Sequence, residues 1–386
     1  MSIEASSTFT VIDPETMPEI FAGQKGPNAG CYLYGRHFNP TVYNLSRQLA
    51  AMEGSDFAYC AASGMAAISA VVMQQCNAGD HIVCSDTVYG GTYALLKEFL
   101  PLKCGISTSF VDIGDIDAVQ RAINERTRLI YTESCSNPTL RVADVPALAD
   151  LAKSRAIPLA VDNTFTPLIL NPIDLGADIV VHSLTKFIGG GSDMIGGVVC
   201  GSSDFIQSLM DLHTGPLMIL GPTMDPVSAF QLSLRLPHLP VRMAEHGRRA
   251  LEIARRLQGL GLKVSYPGLE SHTDHTLLAR LRCPDYGWGG LLTLDVGSEA
   301  MANALMRTLQ NEQQFGYVAV SLGYFDTLMS CSGSSTSSEM TDDDKRKAGI
   351  SPGLLRMSVG ITGSLEQRWT QLESALIANG LCVAAA

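Results

Sequence analysis

Short apolar runs and longer stretches with helical spacing alternate between Gly54 and about position 200. The apolar runs are typical of strands buried on both faces and lie at 81–85, 109–112, 129–133 and 159–162. The helical stretches lie at 64–76, 92–100, 115–124 and 144–154. Alternation of this kind predicts an α/β protein with a mostly parallel sheet flanked by helices.

The chain divides into three predicted parts. Residues 1–40 carry glycines and prolines without periodicity, so we expect an arm with no core of its own. Residues 41–230 carry the alternation and end in a cluster of glycines and prolines. Residues 231–386 mix strands with helices and predict a smaller C-terminal α+β domain. Within it, the serine-rich segment 331–340 and the charged segment 341–347 predict an exposed loop.

Charge and cysteine content narrow the class of protein. The 386 residues carry a net charge of −11, which argues against nucleic acid or an anionic membrane as a partner. The ten cysteines are scattered and form no C-x-x-C pair, as expected of reduced thiols in a cytoplasmic protein. The first residues show no basic region followed by an apolar one, so no signal peptide is expected.

A single lysine stands where one predicted strand leaves the sheet. Lys186 follows the apolar run 179–182 and lies between Ser183, Thr185 and the three glycines 189–191. Ligands of open α/β sheets bind at the carboxyl ends of the strands. Lys186 is therefore either an ordinary solvated lysine or a group that binds an anionic cofactor.

An aspartate at the end of the preceding strand favours the cofactor. Asp162 lies 24 positions before Lys186, which leaves room for one crossover helix and the next strand. The two residues would then lie side by side at one sheet edge. A simple Asp–Lys ion pair would satisfy both. Alternatively, Asp162 faces a ring nitrogen while Lys186 forms an imine with the same ring, the pairing used with pyridoxal phosphate (PLP).

Several residues could bind the phosphate of such a cofactor. Ser63, Gly64 and Met65 begin a helix, whose N–H groups and positive dipole end suit an anion. Ser183 and Thr185 add hydroxyls beside the lysine. Tyr89 and Asn137 each follow the end of a predicted strand. Tyr89 could stack on the cofactor ring. Simple turn chemistry would also explain both residues.

Other functional motifs are absent from the sequence. It contains no P-loop and no G-x-S-x-G elbow, and the glycines after Lys186 do not follow G-x-G-x-x-G. His272 and His275 have no third ligand nearby, so a surface loop is favoured over a zinc site and no metal is expected.

The motif set resembles the cystathionine γ-synthase-like family of fold-type I PLP enzymes, over essentially the whole chain. The matching motifs are SLTKFIGGGSD at 183–193, VDNTF at 161–165, SGMAAI at 63–68, VYGGT at 88–92 and LRMSVG at 355–360. Within that family, three segments resemble the plant-type methionine γ-lyases: SIEASSTFTV at 2–11, YGRHFNPT at 34–41 and LMSCSGSSTSSE at 328–339.

The resemblance implies a role for each matching residue. Lys186 would hold PLP as an imine and shuttle protons, Asp162 would keep the ring nitrogen protonated, and Tyr89 would stack on the ring and act as an acid. The phosphate would be bound by Ser63, Gly64, Met65, Ser183 and Thr185. A neighbouring subunit's phosphate would be reached by Tyr34 and Arg36, which implies a homodimeric active unit, usually within a homotetramer. The substrate would be positioned by Asn137, Ser321 and Arg356.

The activity implied is the α,γ-elimination of L-methionine to methanethiol, 2-oxobutanoate and ammonia. Alternatives on the same scaffold are cleavage or synthesis of cystathionine in transsulfuration and sulfhydrylation of O-acetylhomoserine. Gly91 keeps these open, because bacterial methionine γ-lyases carry a cysteine there. A remoter alternative is a non-catalytic binding protein on a decayed enzyme fold, against which the intact Asp162, Lys186 and Arg356 argue.

Overall fold

The computed structural model describes residues 2–335 and 340–383. Fifteen α-helices lie in these ranges. The first eight are α1 (Thr16–Phe21), α2 (Pro40–Glu53), α3 (Gly64–Gln75), α4 (Gly90–Ala94), α5 (Leu100–Cys104), α6 (Ile116–Ala122), α7 (Val145–Ser154) and α8 (Ser203–Leu209). The others are α9 (Pro216–Leu220), α10 (Pro226–Arg235), α11 (Leu239–Gly259), α12 (His275–Leu281), α13 (Glu299–Arg307), α14 (Asp342–Lys347) and α15 (Leu365–Ala378).

A seven-stranded, mostly parallel sheet forms the larger part of the molecule, as predicted. Its strands are β1 (Phe57–Ala61), β2 (His81–Ser85), β3 (Ser107–Val111), β4 (Thr127–Glu133), β5 (Leu159–Asp162), β6 (Ile179–Ser183) and β7 (Gly197–Gly201). They are ordered β1-β7-β6-β5-β4-β2-β3. Only β7 runs antiparallel to its neighbours. The central strands are continuous apolar runs because the core lies on both of their faces.

A second sheet of five strands follows later in the chain. Its strands are β8 (Lys263–Ser265), β9 (Leu291–Asp295), β10 (Tyr317–Val318), β11 (Leu328–Cys331) and β12 (Leu354–Ser358), in the order β10-β11-β12-β9-β8. A separate apolar cluster packs it against α11, α13 and α15. The sheet is largely antiparallel, as an α+β arrangement requires. The domain limits at 40 and 230 remain predictions.

The crossover helix predicted between Asp162 and Lys186 is not formed. Residues 163–178 are turns and irregular backbone. Pro167 and Pro172 interrupt the segment, and proline removes the N–H groups that a helix requires. The two strands are nevertheless neighbours, because β5 pairs in parallel with β6 and Asp162 lies opposite Val181.

The loop predicted at 331–347 is only partly a loop. Cys331, Ser332 and Met340 are buried, and residues 336–339 lie outside the described part of the chain. The charged segment forms α14, which Thr341 caps by accepting a hydrogen bond from the N–H of Asp344. Three aspartates fill the first turn of this helix, where the dipole favours negative charge. The loop prediction was therefore wrong for this segment.

No helix in the described ranges is both long enough and apolar enough to span a bilayer.

Candidate active site

A pocket of about 220 Å³ opens at the carboxyl edge of the large sheet. Strands β4, β5 and β6 end there, and α3 begins there. Glu133, at the end of β4, lies directly opposite Asp162, at the end of β5. The structure brings most of the predicted site residues to the wall of this pocket: Ser63, Gly64, Met65, Tyr89, Asn137, Asp162, Ser183, Thr185, Lys186 and Arg356.

Asp162 is a buried carboxylate held by neutral donors. Its Oδ1 accepts hydrogen bonds from the Thr164 N–H at 3.0 Å and the Thr164 hydroxyl at 2.5 Å. Its Oδ2 accepts a hydrogen bond from the Tyr131 hydroxyl at 3.3 Å. Burial raises the pKa of Asp162, and the bonds from Thr164 oppose that shift. The simple ion pair with Lys186 is not formed. Asp162 therefore remains available to a cationic ring nitrogen.

Lys186 is a half-buried amine with one neutral partner. Its Nζ donates to the hydroxyl of Ser321 at 3.0 Å. Burial and, to a smaller extent, the charge of the nearby Arg356 lower the pKa of Lys186 to about 8. A lysine in this state loses its proton readily, which both imine formation and proton abstraction require.

Arg356 lines the pocket and is fully buried. Its Nη1 donates to Oδ1 of Asn137 at 3.1 Å, and its Nη2 donates to the carbonyl of Ser321 at 2.9 Å. Among the described residues, its Nε has no hydrogen-bond partner and no carboxylate pairs with it. Burial lowers the pKa of Arg356 to about 10. A buried guanidinium in this state suits the carboxylate of a bound ligand.

The start of α3 also lines the pocket. Ser63 caps the helix by accepting a hydrogen bond from the N–H of Ala66, so the N–H groups of Gly64 and Met65 remain at the helix end. A Cβ at Gly64 would lie 2.8 Å from the Cβ of Ser183. Glycine therefore lets the helix end approach β6 closely, which brings two groups of phosphate donors together.

Tyr89 lies at the pocket between β2 and α4. Its ring is partly exposed and packs beside Gly91, where a Cβ would lie 2.6 Å from the Cε1 atom of the ring. The departure at Gly91 noted in the sequence therefore has a direct structural consequence. Any side chain at this position would displace the Tyr89 ring.

Tyr34 and Arg36 do not line the pocket of their own chain. Arg36 donates from Nη1 to the carbonyl of Met218 at 2.7 Å, and its guanidinium lies 5.6 Å from the centre of the Tyr34 ring. Tyr34 is exposed on the surface. Their predicted role toward a neighbouring subunit remains a prediction.

Two polar residues of the site were missed in the sequence. Glu133 is buried and accepts hydrogen bonds from the N–H groups of Tyr89 and Asn137. Thr164 bonds both Asp162 and the backbone N–H of Ser183, and so connects two strand ends. Glu133 ends an apolar strand in the same way as Asp162, and this signal could have identified it.

The residues fit PLP. The helix end of α3 and the hydroxyls of Ser183 and Thr185 suit a phosphate, Asp162 suits the ring nitrogen, and Lys186 suits the aldehyde. The unpartnered Nε of Arg356 points to a second anion.

Comparison with known proteins agrees with this geometry. The family model for Cys/Met metabolism PLP-dependent enzymes matches residues 1–376. The methionine gamma-lyase of Arabidopsis thaliana is 57% identical over 378 residues, covering 98% of this chain and 86% of that protein. The cystathionine gamma-lyase of Bacillus subtilis is 37% identical over 344 residues, covering 87% of each chain.

Solved structures give the same result. The cystathionine gamma synthase from Xanthomonas oryzae, in complex with aminoacrylate and cysteine, aligns with a TM-score of 0.88 and 32% identity over 98% of this chain and 93% of that one. A Campylobacter jejuni protein described as an O-acetylhomoserine (thiol)-lyase, with a pyridoxyl group on a lysine, aligns with a TM-score of 0.90 and 27% identity over 97% and 94%. The chain belongs to the family of PLP-dependent enzymes of cysteine and methionine metabolism.

Proposed function

We propose that the protein is a carbon–sulfur lyase that converts L-methionine and water to methanethiol, 2-oxobutanoate and ammonia. One observation carries the proposal: the buried Arg356 has no carboxylate partner among the described residues and is connected to Lys186 through Ser321. An amino-acid carboxylate bound to Arg356 would hold its α-carbon near the amine of Lys186. The 57% identity to a methionine gamma-lyase supports the choice of substrate.

Bound PLP would supply an electron sink for the charge that develops on the substrate when protons leave its α- and β-carbons. Asp162 would hold the proton on the ring nitrogen and keep that sink effective. Lys186, whose pKa burial lowers to about 8, would take the α-proton at Nζ. A base with a pKa near the working pH is the most efficient.

Arg356 and Asn137 would orient the substrate. The planar guanidinium can bind a carboxylate through two parallel N–H groups. Asn137 accepts from Nη1 and fixes the plane of the guanidinium. A substrate that is bound in a fixed orientation loses less entropy on reaching the transition state, which lowers the barrier.

Tyr89 would give its hydroxyl proton to the departing sulfur. Without that proton methanethiolate is a poor leaving group, and general acid catalysis at such a step is worth about 10²–10⁴ in rate. The ring lies at the pocket wall and is partly exposed, so that its proton can be replaced from solvent.

Part of the pocket wall is apolar. Ile195 and Val320 line it and are 66% and 70% exposed, so apolar surface is open to a ligand there. The charged residues that line the pocket are Lys186, Arg356, Glu133 and Asp162, at the strand ends and on β12. An apolar wall suits the S-methyl group of methionine better than the second ammonium and carboxylate of cystathionine.

We also propose a homodimeric active unit, within a homotetramer, in the cytoplasm. The residues at the phosphate end, Ser63 to Met65, Ser183 and Thr185, carry no positive charge. Arg36 of a second copy would supply it. The ten free cysteines support a reducing compartment.

Product analysis tests the proposed reaction. Purified holoenzyme is incubated with methionine, with cystathionine, and with O-acetylhomoserine plus sulfide, and kcat/KM is measured for each. We expect methanethiol and 2-oxobutanoate from methionine at the highest kcat/KM. A higher value for either other substrate would contradict the assignment. Borohydride bleaching of the yellow protein, followed by mass analysis, excludes a non-catalytic fold if Lys186 gains a pyridoxyl group.

The variant Val320→Ser tests the role of the apolar wall. Removal of apolar surface from the binding site should lower kcat/KM for methionine by about tenfold, because one or two buried methyl groups are worth ~1–3 kcal/mol. The value for cystathionine should change less. Equal losses for both substrates would contradict the role of the wall.

A further inference from the structure

Glu133 connects two loops that meet at the pocket. Its Oε1 accepts from the N–H of Tyr89 at 2.7 Å, and its Oε2 accepts from the N–H of Asn137 at 3.0 Å. Tyr89 follows β2 and starts α4, whereas Asn137 follows β4. One carboxylate thus fixes the backbone of two residues that lie 48 positions apart, from 89 to 137.

Both of these residues face the substrate in the proposed reaction. Tyr89 carries the hydroxyl near the leaving group. Asn137 accepts from Arg356, which would bind the substrate carboxylate. The hydrogen bonds therefore run from Tyr89 through Glu133 and Asn137 to Arg356. The two ends of a bound amino acid would lie against the two ends of this connection.

A carboxylate at this position is costly to the folded chain. Glu133 is buried beside Asp162, and burial followed by the charge of Asp162 raises the pKa of Glu133 well above its ordinary range. Only an ionised carboxylate offers two equivalent acceptor oxygens to two N–H donors. Glutamine would accept one N–H and would direct its own NH₂ at the other.

We propose that Glu133 is a positioning residue for the reaction, which sets the distance between the Tyr89 side chain and the Asn137–Arg356 pair. This inference rests on the proposed function. Glu133 acts through Tyr89 and Asn137 and takes no proton from the substrate. If its two bonds only satisfied loop N–H groups, its loss would lower stability without changing the geometry of the cofactor and substrate.

The test compares Glu133→Gln with a matched control, Glu98→Gln, at an exposed position. We expect kcat/KM for methionine to fall about 10²-fold in Glu133→Gln, since a misplacement near 1 Å costs about that much. The visible circular dichroism of the bound cofactor should change while the far-ultraviolet spectrum does not. The control should match the wild type in all three. Wild-type values of kcat/KM and visible dichroism in Glu133→Gln would overturn the proposal.

A double-mutant cycle with Tyr89→Phe separates positioning from stability. If Glu133 acts by positioning Tyr89, its replacement should cost much less in the Tyr89→Phe background than in the wild type. Multiplicative losses would overturn the proposal. The change in visible dichroism does not depend on the substrate. If the wild type released no methanethiol, the proposed function would be disproved. The visible dichroism of Glu133→Gln would still test the positioning role of Glu133.

If Glu133→Gln does not fold, a second variant and a measurement on the wild type test the proposal instead. Glu133→Asp keeps the charge but is one carbon shorter, so it can reach only one donor, and an intermediate loss of kcat/KM is expected. In the wild-type holoenzyme, the N–H groups of Tyr89 and Asn137 should exchange slowly with deuterium although they lie outside strands. Exchange at the rate of exposed loop N–H groups would overturn the proposal.

Discussion

The pocket and the exposed side of α11 differ in whether their cationic side chains are paired with carboxylates. On α11, Arg248 contacts Glu245 at 2.7 Å, and Arg256 contacts Glu252 at 2.7 Å and Glu366 of α15 at 2.7 Å. In the pocket, the half-buried Lys186 and the buried Arg356 have no carboxylate partner among the described residues.

The pKa values follow this difference. Burial lowers the pKa of Lys186 to about 8 and that of Arg356 to about 10. On α11, hydrogen bonds from Arg248 and Arg249 lower the pKa of Glu245 to about 2. Two cations that are withdrawn from water in one pocket without a carboxylate leave an unfavourable charge at the site. The difference indicates that the missing anions are supplied by the ligands.

The largest effect is expected from Lys186→Met. The variant removes the proposed base, and we expect kcat/KM for methionine to fall by at least about 10⁴-fold, the upper range for a general base. The same change removes a half-buried cation. We therefore expect the cofactor-free variant to unfold at a higher temperature than the cofactor-free wild type at pH 7.

The lowered pKa of Lys186 determines how the difference in stability between Lys186→Met and the wild type changes with pH. In the folded wild type the pKa of Lys186 is about 8, whereas the ordinary pKa of a lysine is 10.5. Between these values the unfolded state binds more protons, so wild-type stability rises with pH. The advantage of Lys186→Met should therefore shrink above pH 8. Thermal unfolding of both proteins at several pH values measures it. A surface control, Lys263→Met, should show no such trend, and a constant difference would contradict the account.

The next largest effect is expected from Arg356→Lys. Lysine keeps the charge but loses the planar pair of donors. We expect kcat/KM to fall about 10²-fold, mainly through KM, because a buried charge contact with a ligand is worth several kcal/mol. Steady-state kinetics measure the loss. The same replacement on α11, Arg256→Lys, should leave kcat and KM unchanged. Equal effects at the two arginines would remove the distinction between the regions.

A smaller effect is expected from Gly91→Ala, which changes the pocket without changing charge. The new Cβ would lie 2.6 Å from the Tyr89 ring, so the ring must move. We expect kcat for methionine to fall about tenfold, in line with ~1–3 kcal/mol for overpacking. Gly259→Ala is the matched control at the end of α11, where a Cβ meets nothing within 4 Å. A wild-type kcat in Gly91→Ala would show that the position of the ring is unimportant.

The smallest effect is expected from Glu366→Gln. This exposed carboxylate pairs with Arg256, and exposed ion pairs are screened by solvent and salt. We expect a small decrease in Tm and less than about a twofold change in kcat/KM. Thermal unfolding at low and high salt checks the assignment. A large loss of activity would show that α15 is coupled to the pocket.

The sequence alone predicted that Lys186 and Asp162 lie close together. Both follow apolar runs, and adjacent parallel strands end at one edge, so their proximity followed from pattern. The prediction of a crossover helix between Asp162 and Lys186 was wrong, because Pro167 and Pro172 interrupt that segment. Glu133 was missed although it ends an apolar run as Asp162 does, and its bonds to the N–H groups of Tyr89 and Asn137 became visible only in the tertiary structure.

The sequence determined the elements, and the tertiary structure determined the state of the site. Strands and helices depend on residues two to four positions apart, which can be read from the chain. The bond from Lys186 to Ser321 spans 135 positions, and that from Arg356 to Asn137 spans 219. Burial, the lowered pKa of Lys186 and the absence of a paired carboxylate at Arg356 all arise from such distant contacts. They exist only once Ser321 and Arg356, from the C-terminal part of the chain, reach Lys186 and Asn137 at the edge of the large sheet.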